Sequence, residues 1–147
     1  STVPGVLHVL FARRKSWHGR SLLNLEAVIE SCSSANLTGW RLRCNSRTLG
    51  DLPLVEMVRL MRRTDVFVSM HGADVINGMH MLPGRALLEV VNNGFERAAD
   101  VPPYWFLSCF QKHFSPTFVH KRLILLSPQP GIKPNYIQAW NRDSDLP

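Results

Sequence analysis

No apolar run in this chain approaches the roughly 20 residues that a membrane-crossing helix requires; stretches such as RALLEVV and RLILLS fall far short. The first residues also lack the layout of a signal peptide, so the expectation is a chain that does not span a membrane by itself. Acidic residues are scarce, 11 Asp+Glu against 17 Lys+Arg, and the resulting net charge of +6 favours anionic partners. The basic residues are dispersed, however, and no aromatic-interleaved basic stripe is present, which argues against nucleic acid as the partner. Cysteine is limited to Cys32, Cys44 and Cys109. An odd set without CxxC spacing signals neither a disulfide framework nor a zinc site. Internal repeats and low-complexity tracts are missing too, as are a GxGxxG fingerprint, a Walker lysine loop and a nucleophile elbow around Ser69. His18, His71 and His80 have no metal-ligand spacing, and Asp143-Ser144-Asp145 has the form of a DxD motif but lies in a polar tail, where solvation explains it.

What is there reads as one folded domain. The 147 residues are 45% apolar and 19% charged, enough to bury a core. VLHVLFA, residues 6–12, is nearly all apolar, as a parallel strand covered on both faces requires. Arg13, Arg14 and Lys15 end it. A helix is expected from Ser21, with Leu22, Leu25, Ile29 and Cys32 at helical spacing and Asn36 and Gly39 closing it. WRLRC, residues 40–44, alternates like a half-buried strand near a sheet edge. Asp51 is placed to cap the next helix, with Pro53 in its first turn, Glu56 at its positive end and Leu54, Val58 and Met61 as its buried stripe. VFVSM follows as a strand, then a short helix from about Asp74 halted by Pro83-Gly84, then the strand ALLEVV. Beyond Asn92, YWFLSCFQKHF suggests a helix, FVHKRLILLS a strand, and the end is Pro-rich.

Alternating strands and helices with short connections specify an α/β fold, a doubly wound, mostly parallel sheet. Ligands of such sheets bind at the carboxyl ends of the strands. Two segments qualify, residues 13–20 after the first strand and residues 71–77 after the third. At Gly72-Ala73 a strand turns into a helix with almost no side chain in the way, so amides and a helix dipole could meet a phosphate; equally, two small residues could serve tight packing alone. Arg14 and Arg20 flank the neighbouring loop, and arginine grips phosphate oxygens bidentately.

Taken in order, ARRKSWHGRSLLNLE and LVEMVRLMRRTDVFVSMHGADVINGMHMLPGRALLEVV resemble the core of glycosyltransferase family 61, which includes plant xylosyl- and arabinosyltransferases and animal O-linked N-acetylglucosaminyltransferases. The family pattern falls here on Arg14, Arg20, Asn24, His71-Gly72-Ala73, Asn77, Pro83-Gly84 and Glu89. YIQAW, residues 136–140, is similar to the family's closing aromatic pair. Two positions depart from the pattern: Asp74 stands where an uncharged residue is usual, and Met57 where Gln is frequent.

The resemblance implies the carboxyl-terminal half of a GT-B enzyme. Residues 1–147 would form its nucleotide-sugar domain, with about 95–147 as a less regular closing segment and the acceptor domain in an amino-terminal half outside this chain. It implies inverting transfer of a sugar from a nucleotide-sugar donor, UDP-linked, to a glycan or protein hydroxyl. Arg14, Arg20, Asn24, His71, Gly72, Ala73, Asn77 and Glu89 would bind that donor, with the alternative that Asn24, His71, Asn77 or Glu89 ties loops together instead. No tightly bound cofactor and no metal is expected. The general base is assigned to the missing half, with His71 the one candidate here. The implied setting is the Golgi or endoplasmic reticulum lumen, in a parent protein anchored upstream, and the Asn36-Leu37-Thr38 sequon accords with it. The rivals are a relative that binds nucleotide sugar or glycan without transfer, and a Rossmann-like oxidoreductase or methyltransferase, the latter weakened by the missing glycine fingerprint.

Overall fold

The computed structural model of the chain describes residues 5–15, 22, 24–92 and 118–125. Strand β1 (Gly5–Ala12) leads to helix α1 (Leu25–Ser34), strand β2 (Trp40–Arg47), helix α2 (Leu54–Arg62), strand β3 (Val66–Met70), a 3-10 segment (Ala73–His80) and strand β4 (Arg85–Asn92). Strand β5 (Phe118–Leu125) completes a five-stranded sheet of order β2-β1-β3-β4-β5, every pair parallel. The α/β expectation therefore holds, and the strand expected in FVHKRLILLS is present. The helix expected in YWFLSCFQKHF and the Pro-rich end lie outside the described residues. Among the described residues no helix is long and apolar enough to cross a membrane.

Period-two alternation explains the layers. In β1, Leu10 and Ala12 face one side with Phe67 of β3 and Leu87 of β4, under Met57 and Met61 of α2 and Val75 of the 3-10 segment. Val9 and Phe11 face the other side with Val68, Met70 and Val90, under Leu25 of α1. Both faces of the sheet are thus covered, which is why β1 and β3 are apolar almost throughout. β2 is an edge strand: its inward residues Leu42 and Cys44 pack under α1, while Arg41, Arg43 and Arg47 stay exposed. Charges on an exposed edge discourage pairing with another chain.

The amino-terminal end of the sheet is held by a buried acid. Asp65 accepts the His8 amide at 2.7 Å and pairs with Arg85, while its backbone bridges His8 and Ala86. One residue thus ties β1, β3 and β4 at the end remote from the 71–77 turn.

Several local expectations are corrected. Helix α1 begins at Leu25, not Ser21: Leu22 is outside it, and the Asn24 carbonyl accepts the Val28 amide to open the first turn. Ser21 and Leu23 lie outside the described residues. Asp51 does not cap α2. It ends a one-turn 3-10 helix (Leu49–Asp51) and pairs with Lys15 at 3.0 Å, and Pro53 takes the capping position. The buried stripe of α2 runs through Met57 and Met61, with Val58 partly buried; Leu54, the first helical residue, is 67% exposed. Met57 therefore faces the core between α2 and the sheet.

The cysteine reading is also overturned. Cys32 of α1 and Cys44 of β2 form a disulfide, Cα–Cα 6.0 Å, across a sequence separation of 12. Spacing carried no hint of it, because the bond depends on α1 packing over β2. Closing a loop of this length constrains the unfolded chain by about 3 kcal/mol in the chain-entropy picture.

Candidate active site

The sheet order 2-1-3-4-5 reverses direction between β1 and β3, and in such folds the crevice beyond the strand ends at that reversal is where ligands bind. Arg14 lies two residues past the end of β1, and His71 directly follows β3. The two segments singled out by sequence are brought together at this point.

The three basic residues after β1 diverge. Arg13 turns toward β2 and α1, donating to Ser46 Oγ at 2.9 Å and pairing with Glu26. Lys15 goes to Asp51. Arg14 reaches over the turn that follows β3: its Nε–H donates to Asp74 Oδ2 at 2.7 Å, with the side chains only 11% and 27% exposed. The first residues of the 3-10 segment lie beneath it, and the Val75 amide donates to the Gly72 carbonyl at 3.1 Å.

Gly72 has φ 142° and ψ −165°, a region essentially reserved to glycine. A Cβ built there would lie 2.6 Å from Arg14 Nη2 and 3.2 Å from Cζ. The missing side chain at Gly72 thus has two local reasons, the backbone angle and the guanidinium packed against it. Ala73, next along, is exposed. The turn therefore places a guanidinium beside the first amides of a helical segment, with only the small side chain of Ala73 between them and solvent, and both kinds of group are suited to an anion.

Behind the turn, His71 Nδ1 contacts Glu89 Oε1. Glu89 is 0% exposed and pairs in register with Ser69 of β3, which places its carboxylate on the face covered by the 3-10 segment. A carboxylate so buried is kept by its partners, and its described contact is with the imidazole, so it bears on the crevice through His71. The His71 amide donates to the Val90 carbonyl at 2.8 Å and continues the β3–β4 ladder past the last strand residue. The histidine is anchored by backbone and side chain together.

The other candidates divide. Asn77 donates its side-chain amide to the Asp74 carbonyl at 3.1 Å and ties down the 3-10 segment from within. Asn24 stands exposed at the start of α1, on the opposite face of the sheet from the 3-10 segment, and makes no side-chain cap. Arg20 lies outside the described residues. Sequence reasoning missed the Arg14–Asp74 and His71–Glu89 pairs. Asp74 was visible as the start of a short helix and as a departure from a pattern, and nothing in a spacing of 60 or 18 residues marks a contact. Among the described residues no group of three or more His, Cys, Asp or Glu side chains could hold a metal ion.

Comparison with known families places these residues in context. A family model described as Glycosyltransferase 61 matches residues 5–88, the span from β1 into β4 that contains both sides of the crevice. A comparison with curated proteins finds no match.

Proposed function

The chain belongs to glycosyltransferase family 61, and from that premise we propose that it is the donor-binding, carboxyl-terminal half of a GT-B enzyme that transfers a sugar from a UDP-linked donor, with inversion, to a glycan or protein hydroxyl. Donor and acceptor substrates follow from the family; the nucleotide, the stereochemistry and the two-domain architecture are our reading. The observation that carries it is Arg14 held over the Gly72-Ala73 turn at the β1/β3 reversal.

In this reading the acceptor hydroxyl attacks the anomeric carbon from the side opposite the nucleotide. The bond from that carbon to the diphosphate oxygen breaks, and negative charge grows on the departing diphosphate. Arg14 and the first amides of the 3-10 segment are suited to stabilise that charge, Arg14 being held by Asp74 before the reaction begins, and Arg20 is assigned to the same task from the family pattern. No metal is assigned a part. His71 borders the same crevice, steadied by Glu89, and is the candidate on this chain for a proton-accepting or donor-orienting role; the principal base is assigned to the amino-terminal half. The Cys32–Cys44 disulfide supports a setting in the secretory pathway, where disulfides persist, and the sequon at Asn36, exposed just beyond α1, supports it independently.

Calorimetric titration of the full-length protein with UDP tests the site. Ala73→Leu, which adds bulk at an exposed position without demanding a positive φ, should abolish UDP binding while the thermal midpoint holds. Retained binding together with a collapsed midpoint would show that the turn is structural and the donor sits elsewhere.

A further inference from the structure

The resemblance gives no role to Asp74, and a carboxylate beside a diphosphate site is at first sight a liability. The geometry points to the opposite, and we propose that Asp74 is a positioning residue that holds Arg14 in register for a phosphate oxygen of the donor. This rests on the reading of the crevice given above.

The argument starts with the guanidinium's five N–H groups, arranged in a rigid planar fork. Asp74 Oδ2 takes the one on Nε at 2.7 Å. Among the described residues the four on Nη1 and Nη2 meet no acceptor, and both nitrogens lie beside Gly72, 3.1 Å and 2.6 Å from where a Cβ would be. The carboxylate thus grips the inner edge of the fork while the outer edge lies over the turn. Arginine has one of the largest rotamer entropies of any side chain, so an unheld Arg14 would have to be ordered by the ligand itself. Asp74 removes that cost before the ligand arrives.

Charge does not reverse this conclusion. Coulomb energy falls with distance, so a phosphate oxygen in hydrogen-bond contact with Nη meets the guanidinium at contact range and the carboxylate only across it. The nearer charge prevails. The same arrangement predicts selectivity, since a guanidinium with one edge occupied and its net charge offset discriminates by geometry more than by field. A correctly placed diphosphate is favoured over a free anion.

The test compares UDP, uridine and inorganic phosphate as calorimetric probes of the full-length protein. Asp74→Ala should weaken UDP binding about tenfold, the cost of ordering one rotamer-rich side chain that the ligand must then bear, and leave uridine binding unchanged, because uridine lacks the phosphates. Asp74→Asn, which keeps an oxygen acceptor for Nε–H, should recover part of the loss. Inorganic phosphate should bind Asp74→Ala at least as well as it binds the wild type. Equal or tighter UDP binding by Asp74→Ala would overturn the proposal and make Asp74 a repulsive residue; parallel loss of UDP and uridine would overturn it in favour of a purely structural role. If Arg14→Ala weakens UDP binding while Asp74→Ala does not, this inference fails and the donor site stands. A wild type that does not bind UDP overturns both.

Discussion

Gly72 and Arg14 make a quantitative prediction because two separable penalties meet at one Cβ. Replacing Gly72 by alanine puts an L side chain at φ 142°, ψ −165°, where the backbone strain is about 1–3 kcal/mol. It also sets the new methyl group 2.6 Å from Arg14 Nη2. The long side chain can swing away, but only by giving up its bond to Asp74, a charge-assisted contact worth about 1.5–3 kcal/mol. Gly72→Ala should therefore destabilise by about 2.5–6 kcal/mol, the sum of the two terms. In an Arg14→Ala background the collision is gone and the Asp74 contact already lost, so the same glycine substitution should cost only the strain of about 1–3 kcal/mol. The double-mutant cycle should show a coupling of about 1.5–3 kcal/mol, with the double variant more stable than the two single effects added together. Urea unfolding followed by tryptophan fluorescence measures all four corners. Additivity within about 0.5 kcal/mol would mean that the guanidinium does not pack on the glycine, and the crevice geometry would have to be redrawn.

Two further outcomes follow from the α1–β2 region. Replacing Cys32 and Cys44 by serine should lower the thermal midpoint by about 6–12 °C, taking about 3 kcal/mol for the closed loop and about 2–4 °C per kcal/mol for a domain of this size. Reductant should do the same to the wild type in calorimetry, and an unchanged midpoint with both thiols open to alkylation before reduction would contradict the bond. Expressed through a eukaryotic secretory pathway, the protein should carry a glycan at the exposed Asn36, seen as a glycosidase-sensitive mobility shift that Asn36→Gln removes; a native protein resident in the cytosol would contradict the lumenal assignment.

The order of elements was legible in the sequence because hydrophobic periodicity is a local property. β1, β3 and β4 announced themselves as short apolar runs, α1 and α2 as apolar stripes at helical spacing, and the 3-10 segment as the interval between His71 and Pro83. Boundaries were less legible. The start of α1 at Leu25 and that of α2 after Pro53 carry no side-chain cap, so no polar residue marks either boundary. Asp51 ends the preceding 3-10 turn, two residues before the cap position, and pairs with Lys15.

By itself, then, the sequence determined the α/β class and the approximate elements, since each depends on residues within a few turns of one another, and it marked two loops as candidates through the rule that parallel strands offer their carboxyl ends to ligands. Tertiary structure decided which of those residues meet. Only the strand order β2-β1-β3-β4-β5 sets the ends of β1 and β3 side by side and lets Arg14 reach Asp74 across 60 residues. Parallel register brings Glu89 level with Ser69 and thereby under His71, and the packing of α1 on β2 joins Cys32 to Cys44. Composition and spacing report what a side chain can do; contact between distant segments depends on how layers stack to bury both faces of the sheet.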